Sequence, residues 1–334
     1  MINSAMTAIN MSCPICSGVI DEVYGEMIDD RYGYPGKFSI YHCADCQHMT
    51  LHPKLTEGEI GEIYSKYYPR KSFSGKSIRA HVDSELGPYS PFKRWINGTN
   101  NQGQFKAHES EFVLDIGVGS CESLLYLKER GVKAYGVEAD VNVKAIADYF
   151  DLKVYIETLT KFKERGIKFD LIILNQVIEH FINPFELVQN LSELLNSDGR
   201  ILISCPNVNS LFRAIFSRTW INWHVPYHQH HFSRSSLERL FSNFEFKINS
   251  SKTITPNLWL NLQIKNAYKY IQGGDSRHLW NHQATQNSAR KASLVWRIIR
   301  KMSEIASQFV IIILCRLIDF MGLGDSLYVE LRKR

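Results

Sequence analysis

Phe112-Val-Leu-Asp-Ile-Gly-Val-Gly-Ser-Cys-Glu-Ser-Leu124 is the stretch that decides the fold. An apolar run stops at Asp115, turns through Gly117 and Gly119, and opens a helix-forming segment at Glu122. A strand, turn and helix of this kind bring backbone N–H groups and a helix N-terminus close to a ligand. A second apolar run ends at Gly136-Val137-Glu138, with Glu138 nineteen residues after Gly119. A carboxylate at the end of a neighbouring parallel strand accepts both hydroxyls of a ribose. The expected ligand is a nucleoside.

A dinucleotide site requires Gly-x-Gly-x-x-Gly, and here the third glycine is replaced by Glu122, whose carboxylate would face a pyrophosphate. NAD is therefore not expected. The run instead resembles the first motif of class I S-adenosylmethionine-dependent methyltransferases, Asp-x-Gly-x-Gly-x-Gly, matched by Asp115, Gly117 and Gly119 with Cys121 at the last glycine. The similarity continues in order. Phe169 to Asn175 reads as a buried parallel strand, and Gln176-Val177-Ile178-Glu179-His180 matches the segment that follows it in the family. A helix over Pro184 to Leu195, a turn at Ser197-Asp198-Gly199 and a strand from Arg200 to Cys205 come next.

The resemblance implies an α/β fold, a doubly wound Rossmann-like methyltransferase sheet. Strands are expected near 112–117, 133–138, 152–157, 169–175, 200–205 and 245–254, with Ser326 to Arg332 adding antiparallel at the edge. The expected organisation is a zinc-binding module over 1–68, a linker over 69–110, the methyltransferase core over 111–255, a basic helical insertion over 256–322 and a final edge strand over 323–334. By the same resemblance, Asp115, Gly117 and Gly119 hold the methionine part of S-adenosylmethionine and Glu138 its ribose. Glu157 contacts the adenine, and Asn175 and Gln176 lie beside the sulfonium. His180 is the first candidate for proton acceptor, with His228 and Glu179 the other catalytic candidates.

Cys13-Pro14-Ile15-Cys16 and Cys43-Ala44-Asp45-Cys46 form two C-x-x-C knuckles, a spacing that presents four thiolates to a structural zinc ion. Two disulfides or a redox dithiol are the other readings. The N-terminus has no basic segment followed by an apolar one, so a reducing cytoplasmic setting with unpaired thiols is expected. His42 and His48 flank the second knuckle and read as surface residues; Cys121, Cys205 and Cys315 read as packing residues. The module resembles the N-terminal part of bacterial methyltransferases that act on sugars and surface glycans. That likeness lets Tyr67 or Tyr68 close over cofactor or substrate; the alternative is that both pack the seam.

Trp220-Ile-Asn-Trp223-His224-Val-Pro-Tyr227-His228-Gln-His230-His231-Phe232-Ser233 lies where the family has a substrate loop. Trp223, Tyr227, His230 and His231 are expected to contact the acceptor. No carboxylate stands at ligand spacing within this run, which favours substrate contact over a metal site.

Charge is distributed unevenly. Residues 1–100 carry 10 Lys+Arg against 11 Asp+Glu, 101–260 carry 17 against 18, and 261–334 carry 12 against 5. The near-neutral first 260 residues offer no footprint for nucleic acid, and no Asn-Pro-Pro-aromatic run follows the fourth strand. The basic tail has Leu294, Ile298, Met302, Ile305 and Phe309 at helical spacing, with Arg290, Lys291, Arg297, Arg300 and Lys301 on the polar side. Peripheral contact with the inner face of the cytoplasmic membrane through 290–320 is one reading; a core or dimer helix is the other. The uncharged stretch Ile305 to Cys315 has 11 residues, short of the roughly 20 needed to cross a bilayer.

The expected function is methyl transfer, to oxygen before carbon, on a sugar, nucleotide-sugar or lipid-linked saccharide. The alternatives are a quinone or polyketide O-methyltransferase and, from another class, a non-catalytic scaffold supported by Cys121 alone.

Overall fold

The computed structural model describes residues 11–67, 75–271 and 294–334, with side chains described outside 269–271 and 294–305. Tyr68, Arg290 and Lys291 lie outside the described residues, as do the side chains of Arg297, Arg300 and Lys301. The strands are β1 Ile20–Met27, β2 Phe38–Cys43, β3 Met49–His52, β4 Phe112–Ile116, β5 Lys133–Glu138, β6 Val154–Ile156, β7 Phe169–Asn175, β8 Leu195–Pro206, β9 His230–His231, β10 Phe246–Ile254 and β11 Ser326–Lys333. Seven of them form one sheet in the order β10-β11-β8-β7-β4-β5-β6. From β8 to β6 every pair is parallel, whereas β11 runs antiparallel to both of its neighbours. Val113, Leu114 and Leu171 to Leu174 are fully buried, which is why these strands read as continuous apolar runs. Strand order reverses between β4 and β7, so the ligand crevice falls at their carboxyl ends.

Two expectations are corrected. The stretch Ser326 to Arg332 does not form the edge: β11 is inserted between β8 and β10, and β10 is the outer strand. Burial explains the placement, since Leu327, Val329 and Leu331 are all enclosed while β10 is largely half-buried or exposed. The connection expected over 69–110 contains helices Gly75–Leu86 and Ser90–Asn97 and a single turn Gly103–Lys106. Ile78, Val82 and Leu86 recur every four residues along the first helix and pack on Leu125, Tyr126 and Phe150. Its Ser, Lys and Gly content concealed a stripe that tertiary packing rewards.

The insertion before β11 is helical at Asn257–Ile271 and Leu294–Phe320. Cys315 and Ile318 on the second helix join Trp220, Trp223 and Leu260 in a buried cluster. Its other face leaves Phe309, Val310, Ile313, Leu317 and Phe320 exposed. Among the described residues, no helix is long and apolar enough to cross a membrane.

Asp325, just before β11, ties this assembly together. It is buried, and its carboxylate accepts hydrogen bonds from Ser210 Oγ (2.7 Å), Trp220 Nε1 (2.8 Å) and Asn222 Nδ2 (2.9 Å). Replacing it leaves buried donors without an acceptor, at about 1–3 kcal/mol for each group left unsatisfied. Asp325→Ala should therefore lower the unfolding free energy by at least ~2 kcal/mol in urea titration. A change within error would mean that the loop carrying Trp220 and Asn222 is held by other contacts.

Candidate active site

After β4 the chain turns through Gly117 (φ +70°), Gly119 (φ +49°) and Cys121 (φ +59°) before the helix Glu122–Glu129. A Cβ on Gly117 would lie 2.7 Å from Val177 Cγ2, whereas a Cβ on Gly119 would meet no heavy atom within 4 Å. Gly119 thus faces open space at the mouth of the crevice, as a site for a ligand's close approach requires. Cys121 takes the left-handed conformation for which the family motif uses glycine, and its thiol, fully buried, is pushed up to about 12 by burial. It serves as packing, not as a reactive thiol.

Glu138 at the end of β5 accepts from the N–H of Gly119 (3.1 Å), Ala139 (2.8 Å) and Asp140 (3.1 Å). Three backbone donors fix its carboxylate beside the glycine turn, where a ribose would be held. Asp115 is buried, and burial raises its carboxyl to about 7, with Glu138 adding to the rise and Ser123 opposing it. The open space at Gly119 and the fixed Glu138 fit a nucleoside cofactor.

The remaining cofactor candidates are engaged by the protein. Asn175 Oδ1 accepts from Gly103 N–H (2.8 Å) and Asn175 Nδ2 donates to Gln104 Oε1 (3.0 Å). Gln176 has φ +57° and directs Nε2 to Ser204 Oγ and Ser326 Oγ, both at 3.3 Å. Asn101 Nδ2 also reaches Ser326 Oγ (2.9 Å), so the segment 101–106 packs over the ends of β7 and β11. Glu157 follows β6 and pairs through both oxygens with Arg165 (2.7 and 3.1 Å), which holds its carboxyl below the usual range.

Beyond β7, Glu179, His180 and His228 converge, each offering a ligand-type atom within 4.8 Å of the others. Glu179 is 1% exposed and neither carboxylate oxygen has a hydrogen-bond partner. Burial pushes it up to about 8. The His180 ring lies 4.7 Å from that of His228, and its Nδ1 is 3.0 Å from both the Tyr227 carbonyl and the Tyr64 hydroxyl. Burial lowers His180 to about 4, so the ring is neutral. His228 Nδ1 donates to the Asn222 carbonyl (2.8 Å). The carboxylate that the histidine run lacked in sequence is thus supplied from the end of β7. Tyr64 is a neighbour of this cluster that sequence reasoning did not single out; its place in a Tyr-rich run after the knuckles was the available signal.

The aromatic and histidine residues expected to face the acceptor are placed otherwise. Trp223 and Tyr227 are 2% and 3% exposed, packed with Phe38, Met49 and Leu51 of the N-terminal module. The apolar faces meant for an acceptor are covered by that seam. His230 and His231 form β9, which pairs with β3 through Thr50↔His230 and Met49↔His231. His230 Nδ1 lies 2.9 Å from His48 Nε2, and Lys54 Nζ donates to the Gln229 carbonyl (2.9 Å) beside it. His48 is therefore a seam residue, 1% exposed, not a surface one. His231 is also buried, and neither of its ring nitrogens has a hydrogen-bond partner. Tyr67 packs edge-on against Tyr34, 5.2 Å between centroids, within the N-terminal module.

The four knuckle sulfurs gather as the spacing predicts. Cys13 and Cys46 Sγ are 3.6 Å apart, Cys16 and Cys43 Sγ 3.4 Å, and none is in a disulfide. Tetrahedral bonds of about 2.3 Å to zinc would separate sulfurs by roughly 3.8 Å, so the set fits such an ion. The two knuckles have matching backbones: Ser17 N–H donates to Cys13 O and Gln47 N–H to Cys43 O, both at 2.9 Å, with Ser17 and Gln47 left-handed.

The sheet order and the acid-terminated glycine turn, with Glu138 held beside it, make this a Rossmann-like methyltransferase fold. Residues 93–251 match the family model described as "Methyltransferase domain". The chain is 32% identical over 170 residues to the mitochondrial ubiquinone biosynthesis O-methyltransferase of Arabidopsis thaliana, covering 48% of this chain and 47% of that protein. It is 26% identical over 158 residues to ubiquinone biosynthesis O-methyltransferase of Rickettsia typhi, covering 44% and 64%. The match thus spans about half to two thirds of these relatives. Among solved structures, a SAM-dependent methyltransferase from Archaeoglobus fulgidus shares 15% identity, covers 84% of this chain and all of its own, and has a TM-score of 0.41. The plantazolicin methyltransferase BpumL with SAH shares 15%, covering 83% and 98%, also at 0.41.

Two measurements test this arrangement. Gly119→Ala should weaken S-adenosylmethionine binding at least about tenfold in calorimetric titration while costing only ~1–2 kcal/mol of stability, because its methyl enters open space in a left-handed turn. Gly117→Ala should instead lose stability further, through contact with Val177. Equal effects of the two on binding and stability would contradict the assigned ligand face. Cys43→Ser should shift tryptophan emission to longer wavelength, since Trp220 and Trp223 are buried against the module the sulfurs close.

Proposed function

We propose that this protein transfers the methyl group of S-adenosylmethionine to a hydroxyl oxygen of an acceptor with a long lipid tail, of the polyprenylated phenol type. The likeness to two ubiquinone biosynthesis O-methyltransferases carries this reading. The exposed apolar face formed by Phe309, Val310, Ile313, Leu317 and Phe320, with the basic excess of residues 261–334, supports an acceptor met at a membrane surface.

Bound S-adenosylmethionine would supply a methyl group already activated on sulfonium. Asp115 to Gly119 and Glu138 would hold its methionine and ribose parts. A structural zinc ion would be held by Cys13, Cys16, Cys43 and Cys46. Uptake of the hydroxyl proton falls to the cluster beyond β7: the acceptor oxygen forms the O–C bond, and the C–S electron pair remains on sulfur. Glu179, raised to about 8, suits proton uptake near neutral pH better than His180 at about 4. Burial has moved the acid and the imidazole in opposite directions. A second reading, a lipid-linked saccharide acceptor, draws on the four-cysteine module and shares the lipid tail.

Transfer of labelled methyl from S-adenosylmethionine should appear on a polyprenylated phenol and not on a lipid-linked saccharide; label only on the saccharide would overturn the first reading. Glu179→Gln should lower kcat by about 10²–10⁴-fold with cofactor affinity preserved. An undiminished kcat would remove Glu179 from the chemistry.

A further inference from the structure

We propose that Tyr64 is a positioning residue of the methyl-transfer centre: its hydroxyl oxygen orients the His180 imidazole, and the four-cysteine module delivers it there. The inference rests on the reading of the cluster beyond β7 as the place of proton uptake, and adds to that cluster a residue from the far side of the seam.

The local sequence explains the delivery. β3 follows the second knuckle and pairs with β9, which docks the module on the core. The chain then enters the short helix Glu57–Glu62 through a capping box: Thr56 Oγ1 accepts from Glu59 N–H, and Glu59 Oε2 accepts from Thr56 N–H (2.7 Å). Ile60, Ile63 and Tyr64 stand at i, i+3 and i+4, so they share one face, and all three join the seam cluster of Trp223 and Tyr227. The turn Ile63–Tyr67 is π-helical, a rare wide form that recurs at functional sites. Ile63, 1% exposed, anchors it, while Ser65 and Lys66 stay in solvent. Tyr64 is left half-buried with its hydroxyl at the cluster.

Hydrogen-bond chemistry assigns what the hydroxyl does. His180 Nδ1 lies 3.0 Å from two oxygens, the Tyr227 carbonyl and the Tyr64 hydroxyl. A carbonyl only accepts, so Nδ1 carries the hydrogen, the Tyr64 oxygen is its second acceptor, and Nε2 holds the lone pair. An imidazole tied to one carbonyl can still swing about that bond; a second acceptor fixes its tilt. The Tyr64 ring is itself held edge-on to the Tyr227 ring, 5.9 Å between centroids at 84°, and lies 6.3 Å from the His180 ring at 68°. Burial keeps the imidazole neutral, so its lone pair is preserved. Ligand-type atoms of Glu179 and His180 lie within 4.8 Å of each other. Once Glu179 has taken the acceptor's proton, its carboxyl can donate to a correctly turned Nε2, which favours proton uptake. Tyr64 thus acts on the reaction through His180.

Tyr64→Phe tests this in the full-length chain, because it keeps the ring and its packing and removes only the oxygen. With labelled S-adenosylmethionine and a polyprenylated phenol, kcat should fall about tenfold, the worth of one hydrogen bond, with KM for the cofactor unchanged. Tyr64→Leu should lose at least as much. In protein carrying isotope-labelled histidine, the His180 ring, assigned by its disappearance in His180→Asn, should show the Nδ1–H tautomer by nuclear magnetic resonance. Tyr64→Phe should move that ring's signals and leave the circular dichroism spectrum in place. Delivery by the module is tested in the Cys43→Ser background, where Tyr64→Phe should cost less than about twofold more. Wild-type kcat in the Phe variant, including activity lost with Leu and regained with Phe, would reduce Tyr64 to packing and overturn the proposal. So would a His180 ring protonated on Nε2, or an undiminished tenfold loss added to Cys43→Ser. Wild type that methylates neither the phenol nor a lipid-linked saccharide would sink the methyl-transfer reading instead, and the His180 signals alone would then decide whether Tyr64 orients the ring.

Discussion

The pairing of β3 with β9 is the constraint on which the rest of the site depends. Two residues, His230 and His231, add to the N-terminal sheet opposite Thr50 and Met49, and this holds the end of the histidine loop against the knuckle module. Ser233 Oγ and Ser235 Oγ both donate to Cys46 O, at 3.1 and 2.9 Å, just past the same strand. The loop begins at the other end with Trp220 and Asn222 on Asp325. His228 is therefore clamped between a module that precedes the core and a turn that follows it. Neither the module nor the core alone would hold it beside Glu179.

The seam has an unusual composition. His48, His228, His230 and His231 are buried and His224 is half-buried, and burial holds every one of them below the usual imidazole range. Lys54 reaches this seam and is lowered to about 7 by the same cause. Buried polar groups of this density demand partners, and the carbonyls of Ile182, Asn222, Tyr227 and Gln229 supply several. The arrangement fixes orientation in a way that an apolar seam would not, since the rings of His180, His228 and His230 each meet a carbonyl.

The core was legible because its strands are apolar runs, with β4 and β7 almost wholly buried, that give way to polar or glycine positions at their carboxyl ends. Phe112–Ile116, Lys133–Glu138 and Phe169–Asn175 lie within a residue of their expected bounds. The knuckles were legible because thiolate spacing states its own geometry. What sequence could not show was convergence: Glu179 and His228 belong to separate elements, and only the fold brings them together. β9 is two residues long, too short for alternation to register. Trp223 and Tyr227 suggested exposed stacking faces because aromatic residues in a loop look available until a second module covers them. Ile78, Val82 and Leu86 carried a helical spacing that polar neighbours obscured.

The place of β11 bears on how such a chain acquires its shape. β8 and β10 are not neighbours; each pairs with a strand that follows both of them in sequence, after the long helix Leu294–Phe320. Until that strand arrives, β8 has an unpaired edge and β10 has no partner in the sheet, and unpaired edges recruit other chains. Such late, non-local closure slows folding and lengthens the interval in which nascent molecules are vulnerable to association. Asp325, at the threshold of β11, then fastens the late strand to the loop that carries His228, so the active centre and the sheet are completed in the same step.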